Sequence, residues 1–261
     1  MKSFLKIFII NFILLLAACE SFIDMTLEGN GKVETSSRNI DEKFNSISLR
    51  EDFDLELYQY NKDSISVIAE YNLIPFINVH VKDERLIIRN NENKKFLTNY
   101  RVILKLYLKE LSYIENLYQG RITADSLNLK SLTLYQSEKG LMKINYLSAK
   151  NIAVQQYNRN DIFLNGDFNN VKIEQSGSGD LVIKGSSFKT SVSQNGSGII
   201  NLYNLNSSLL NIVQDGSGIA YCSVDSIFDV DIIGGGRVFY KGNPQINSKL
   251  SNENYLIKEY N

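Results

Sequence analysis

The chain contains no tryptophan, two prolines, one histidine and two cysteines, and its net charge is −1. Each shortage excludes something. The single histidine, His80, alternates with Val79 and Val81 and so points outward from a strand, where it offers neither a triad nor a metal cluster. The cysteines are Cys19 and Cys222. If Cys19 is modified, Cys222 has no partner, so there is no disulfide framework and stability must come from a core. Removing residues 1–18, which hold Lys2 and Lys6, takes the charge from −1 to −3. Neither value leaves a nucleic-acid footprint or a strong acidic field. What is plentiful is Asn, Ile, Ser and Tyr, with β-branched and aromatic residues outweighing Ala, Glu and Arg, which favours strands.

Long apolar runs are also missing. Ile7 to Leu16 is apolar apart from Asn11, which is short of the roughly 20 residues a spanning helix needs. With basic Lys2 and Lys6 ahead of it, residues 1–18 read as a signal peptide. The run closes on Leu16-Ala-Ala-Cys19, which resembles a lipobox whose cysteine thiol takes a diacylglyceryl group. Each buried CH₂ of an acyl chain contributes about 0.8 kcal/mol, and the two or three chains of a bacterial lipoprotein suffice for stable anchoring. Residues 19–40 are polar and are expected to form a lipid-anchored tether.

A repeat dominates the second half. Gln175-Ser-Gly-Ser-Gly179, Gln194-Asn-Gly-Ser-Gly198 and Gln214-Asp-Gly-Ser-Gly218 continue backwards to Gln156 and Gln136 and forwards to Gly234. Each step spans nineteen or twenty positions. Ahead of each glutamine sit apolar pairs such as Ile152/Val154, Val171/Ile173 and Leu210/Ile212. Behind it sit Ile162/Leu164, Leu181/Ile183 and Ala220/Cys222. The alternation has period two, so each half-repeat is a strand with one face inward. Coils repeated in register make a parallel β-solenoid. Cys222 falls in the column of Ile144, Leu164, Ile183 and Leu202 and is expected to be a small core residue. The glutamines are expected to form a corner ladder of stacked amides. Gly166, Gly185 and Asn204, ten positions after a glutamine, suit a corner with a left-handed backbone.

Residues 41–110 are rich in strand patterns but lack this beat, with Asn61-Lys-Asp63 and Lys82-Asp-Glu84 reading as hairpin turns. Residues 41–261 are therefore taken as one domain. In it, 41–110 is an irregular part that caps or begins the solenoid, 111–244 holds the regular coils, and 245–261 covers the far end. Caps are expected because a bare solenoid end is an exposed sheet edge.

Phe44-Asn-Ser-Ile-Ser-Leu49, Phe53-Asp-Leu-Glu-Leu-Tyr-Gln59, Val67-Ile-Ala-Glu-Tyr-Asn72 and Val81-Lys-Asp-Glu-Arg-Leu-Ile-Ile88, followed by the Gly-Ser-Gly repeats, resemble the head GIN domain family of auto-transporter adhesins over about residues 40–250. The resemblance implies an all-β, right-handed parallel β-solenoid, or β-helix, with no catalytic residues. Gln136-Ser-Glu-Lys-Gly140 and Gln156-Tyr-Asn-Arg-Asn160 depart from it, because they lack the Gly-Ser-Gly turn.

The turn glycines Gly177, Gly179, Gly196, Gly198, Gly216 and Gly218 read as structural corners. No Walker lysine or dinucleotide fingerprint accompanies them, and Asp180 and Asp215 do not recur in register as in calcium-binding β-rolls. A polysaccharide lyase or hydrolase needs converging carboxylates. The outward columns Tyr135, Gln155, Glu174, Ser193, Val213 and Lys143, Phe163, Val182, Asn201, Tyr221 supply no such pair. No cofactor, metal or nucleic acid is expected. Phe163, Tyr203 and Tyr221, with Tyr135 and Tyr146 nearby, are the candidate surface contacts for a protein or glycan. The expectation is a lipid-anchored envelope or cell-surface protein, placed at the outer membrane, that binds and does not catalyse. The alternatives are a structural role in which coils stack end to end, and a β-helix enzyme.

Overall fold

The computed structural model describes residues 25–91 and 94–259. The signal peptide and Cys19 lie outside the described residues. Six long strands carry the repeat: β11 (Arg121–Gln136), β12 (Leu141–Gln156), β13 (Asp161–Gln175), β14 (Asp180–Gln194), β15 (Ile199–Gln214) and β16 (Ile219–Ile232). All pair in parallel, and Gln136, Gln156, Gln175, Gln194 and Gln214 follow one another in register. Short half-repeat strands were expected. Each coil is instead one strand that bends as it goes round, and the register shifts at some bends, such as that between Ile144 and Leu147. The chain is an all-β parallel solenoid.

Period-two patterning fills the tube. Ile144, Leu164, Ile183, Leu202 and Cys222 are all at most 2% exposed. Leu132/Leu134 through Val230/Ile232 line the opposite wall, also buried. Each such apolar side chain contributes roughly 1.5–3 kcal/mol when fully buried. One polar patch interrupts this packing. Ser187, Thr190 and Ser207 are buried and bond to one another at 2.7–2.9 Å, so their hydroxyls are satisfied internally.

The turns are built from two devices. The first is the buried glutamine column. Gln156, Gln175, Gln194 and Gln214 each turn Nε2 onto a carbonyl of their own turn, as Gln175 does to Gly179 at 3.0 Å and Gln194 to Gly198 at 2.8 Å. Gln175 and Gln194 also donate to Oε1 of the preceding glutamine, at 2.7 and 2.6 Å. Gln136, in one of the two coils without the Gly-Ser-Gly turn, is buried without such a clamp, whereas Gln156 in the other keeps it by donating to the Asn160 carbonyl. The second device is close stacking. A Cβ on Gly177 would strike the Asn158 carbonyl, one on Gly196 the Gly177 carbonyl, and one on Gly216 the Gly196 carbonyl. These glycines are needed for approach and not for a left-handed backbone. The same correction applies to the expected corner. Of Gly166, Gly185 and Asn204 only Gly185 has a positive φ, +112°, whereas Gly166 is glycine because the Leu147 carbonyl sits against it.

The N-terminal part is stacked out of chain order. Its strands are β1 (Met25–Glu28), β2 (Val33–Asn39), β3 (Ser46–Leu49), β4 (Asp54–Gln59), β5 (Ser64–Glu70), β6 (Ile77–Lys82), β7 (Arg85–Asn90), β8 (Lys94–Leu97), β9 (Ile103–Leu108) and β10 (Tyr113–Asn116). The β3–β4 layer lies between a β7–β9 layer on one side and β10–β11 on the other. The chain therefore lays down an inner layer, then an outer one, and crosses back to start the regular coils. Antiparallel strands close the outer end: β5 on β9, β2 on β5 and β6 on β7. The Lys82–Arg85 turn is the hairpin expected, with Asp83 and Glu84 at positive φ. Asn61–Asp63 is not a hairpin, because its flanking strands β4 and β5 both pair with β9.

Residues 25–39 are not tether. β1 pairs with β8, and every residue of β2 pairs with β5. At the far end β17 (Arg237–Lys241), β18 (Gln245–Leu250) and β19 (Leu256–Lys258) continue the parallel ladders. Residues 245–258 cover that end by adding strands to it and not by a separate cap.

Candidate functional site: an outward aromatic ladder

One outward column runs Lys143, Phe163, Val182, Asn201, Tyr221 and Phe239. At its far end three rings from successive coils come together. Tyr203 meets Tyr221 edge to face at 5.0 Å, and Tyr221 stacks on Phe239 at 5.1 Å with an interplanar angle of 22°. Offset or edge-to-face pairs at these spacings contribute about 0.5–1.5 kcal/mol each beyond burial. The ladder is pinned. Lys241 Nζ lies 4.5 Å from the Tyr203 ring centroid, and the Tyr203 hydroxyl donates to Glu259. Burial and that carboxylate raise the Tyr203 phenol, so it stays neutral and a donor. Tyr203 and Tyr221 are both half-buried.

Phe163 is separate. It is partly exposed in a shallow groove of about 510 Å³ with Lys143, Asn145, Asn165, Val182 and Lys184. Val182 and Asn201 stand between it and Tyr221. The expected companions lie apart as well: Tyr135 packs on Tyr157 at 5.4 Å, and Tyr146 donates to Asp167 at 3.1 Å. Phe239, Lys241 and Glu259 were not among the sequence candidates. Tyr203, Tyr221 and Phe239 are spaced by eighteen positions each, just off the beat of the coils.

The rest of the surface bears on chemistry. The turn glycines face neighbouring backbones, as described. Two outward carboxylates do adjoin across coils, contrary to expectation: Asp161 and Asp180. Burial and then the Asp161 charge raise the Asp180 carboxyl, but Asp161 Oδ1 accepts the Asp180 amide at 3.0 Å and so works as a turn staple. Lys172 bonds Glu174 at 2.7 Å and, with Gln155, lowers its carboxyl. Glu115 is buried against Arg85 at 3.2 Å and Arg50 at 3.8 Å, a paired charge that the sequence did not reveal. Cys222 is buried, and burial pushes its thiol well up, so it is inert. His80 is half-buried beside Asn78, at 3.0 Å. Among the described residues no three His, Cys, Asp or Glu side chains converge as a metal would require.

Residues 43–244 match the family described as "Putative auto-transporter adhesin, head GIN domain". The chain belongs to the head GIN domain family. No curated protein matches it. A crystal structure titled a "putative adhesin" from Parabacteroides distasonis is similar at 20% identity and TM-score 0.78, covering 90% of this chain and 98% of that one. Another from the same species, titled a "Putative lipid binding protein", has the same identity and TM-score and covers 90% and 100%. A "putative adhesin" from Parabacteroides merdae is 21% identical at TM-score 0.76, covering 89% and 96%. At this identity the likeness is one of fold. The head GIN motifs map onto the structure in two ways. Phe44–Leu49 and Phe53–Gln59 form the inner layer of the N-terminal part, and the Gly-Ser-Gly turns form the close-stacked edge of the coils.

Proposed function

We propose that this head GIN protein is a lipid-anchored envelope protein that binds a protein or glycan through the outward face of its solenoid, and that it is not an enzyme. The observation that carries the reading is the ladder Tyr203–Tyr221–Phe239. Three rings from successive coils share one face, and Lys241 and Glu259 hold Tyr203 in place. Rigid aromatic surface with polar neighbours is what a sugar ring or a protein hot spot stacks on at low entropic cost. The lipobox at Cys19 supplies the anchor, and family membership supports an adhesin-like role. The tube itself is filled by Leu, Ile, Val and Phe side chains, so an acyl chain would have to lie on the surface and not inside.

Two measurements test this. Palmitate labelling of the full chain in a Gram-negative host should be lost in Cys19→Ala. The secreted Cys19→Ala form, applied to glycan arrays and to envelope extracts, should bind a ligand at least tenfold more weakly after Tyr221→Ala plus Phe239→Ala. Unchanged binding by the double variant, with an intact strand spectrum, refutes the ladder as the contact.

A further inference from the structure

The segment expected to hang loose is docked. β1 pairs in register with β8, and the Gly29 amide donates to the Leu97 carbonyl at 2.9 Å. The Asn30 amide donates to Asn72 Oδ1 at 3.0 Å, and Asn72 Nδ2 donates back to the Glu28 carbonyl at 2.7 Å. Beside them Glu70, 3% exposed, accepts the Gly31 amide at 2.5 Å and the Thr98 hydroxyl. A buried carboxylate is costly unless it is bonded. Here the arm itself supplies a donor, so lifting the arm leaves Glu70 under-bonded.

Docking shortens the leash. Residues 20–24 are all that separate Cys19 from β1. That stretch, fully extended, reaches about 20 Å. Lipid attached at Cys19 therefore holds the N-terminal end of the solenoid at the bilayer surface. The side chains around the docked arm suit that place. Leu97 is 60% exposed, Tyr71 58% and Tyr100 49%, and each sits at or beside a residue that binds the arm or its anchor. The Tyr71 amide donates to the Lys32 carbonyl at 2.8 Å, the Leu97 carbonyl receives Gly29, and the Tyr100 amide donates to the Thr98 hydroxyl at 3.0 Å. Exposed Lys95 shares the outward side of β8 with Leu97. Tyrosine, leucine and lysine are the residue types that sit with an apolar body in the headgroup zone and, for the polar two, a tip in water.

We infer that the N-terminal cap rests on the lipid surface, with Tyr71, Leu97 and Tyr100 as its contacting rim. This rests on lipidation at Cys19. The stack of β9, β4 and β11 to β17 then runs away from the bilayer. At about 4.8 Å per strand, the Tyr221–Phe239 ladder stands roughly 35 Å further along the axis than β9.

The test uses the full lipidated chain, purified from membranes and reconstituted in phosphatidylethanolamine–phosphatidylglycerol vesicles. A bimane label is placed on Leu97→Cys, Tyr100→Cys or Ile233→Cys. Cys222 is buried and stays unlabelled, and Ile233 is an exposed position at the distal end. Doxyl-lipid quenching at positions 97 and 100 should exceed that at 233 at least threefold. If the chain floats with the vesicles but all three labels are quenched to the same degree, the cap does not rest on lipid, and this inference falls while the anchor stands. If the chain does not float, the lipid-anchor reading fails first and takes this one with it.

Discussion

The regular coils and the N-terminal cap use the same strands and the same apolar alternation, yet they are organised by opposite rules. In β11 to β16 each strand pairs with the next one in the chain, so chain order is spatial order. In the cap, β7 and β9 lie outside β3 and β4, and antiparallel strands close the end. The coils gain stability from repetition, since each layer buries its neighbour's face. The cap must stop that repetition, and it does so with reversed strands and a docked arm whose buried anchor is a single carboxylate. Propagation needs only a local pattern, whereas termination needs contacts far apart in sequence.

The largest loss of stability is expected from a substitution inside the coils. Ile183→Ala leaves a cavity in a tightly stacked column and should cost about 2–5 kcal/mol by urea unfolding. A loss below about 1 kcal/mol would mean that the column can collapse around the gap. Glycine substitutions separate approach from flexibility. Gly196→Ala drives a methyl into the Gly177 carbonyl, whereas Gly235 has no atom within 4 Å of its Cβ position. The first should cost about 1–3 kcal/mol, and Gly235→Ala should stay within about 0.5 kcal/mol. Equal effects would show that the turns are not held by close packing.

The cap responds locally. Glu70→Ala removes the acceptor of Gly31 and Thr98 and should cost about 1–3 kcal/mol. Hydrogen exchange should rise over residues 25–39 and stay unchanged in β13 and β14. Uniform acceleration would mean that the cap and coils form one cooperative unit. The smallest effect belongs to the coil surface. The Glu174 carboxyl is lowered, first by Lys172 and then by Gln155, so its contribution is present above the unfolded carboxylate value of about 4.3. It is lost as pH falls through the lower folded value. The pair is exposed to solvent, so Glu174→Gln should change stability by under about 0.5 kcal/mol at pH 7. A larger change would make surface charge a real contributor to the coils.

Much of the solenoid was legible because its signal is local and repeated. The column ending at Cys222 and the glutamine ladder could be read from spacing alone. The cap was less so. Val67-Ile-Ala-Glu70 reads as a strand, but nothing near it shows that Glu70 is buried against residues 29–31. The arm reads as polar linker because β2 is exposed along its whole length and is held by backbone bonds. The aromatic site was half visible. Tyr203 and Tyr221 stand out as outward aromatics, but the rings that meet are not those a strict period pairs. Phe239 joins them because β17 extends the parallel stack beyond β16, and Glu259 because the chain after β19 reaches the Tyr203 hydroxyl.

The parallel solenoid and its inward columns followed from the sequence alone, because alternation and a fixed period act between residues that are close or regularly spaced. Tertiary structure alone decided the layer order of the cap, the docking of residues 25–39 and the pinning of Tyr203 by Lys241 and Glu259. Those depend on backbone pairing and side-chain contacts between segments whose separation follows no period.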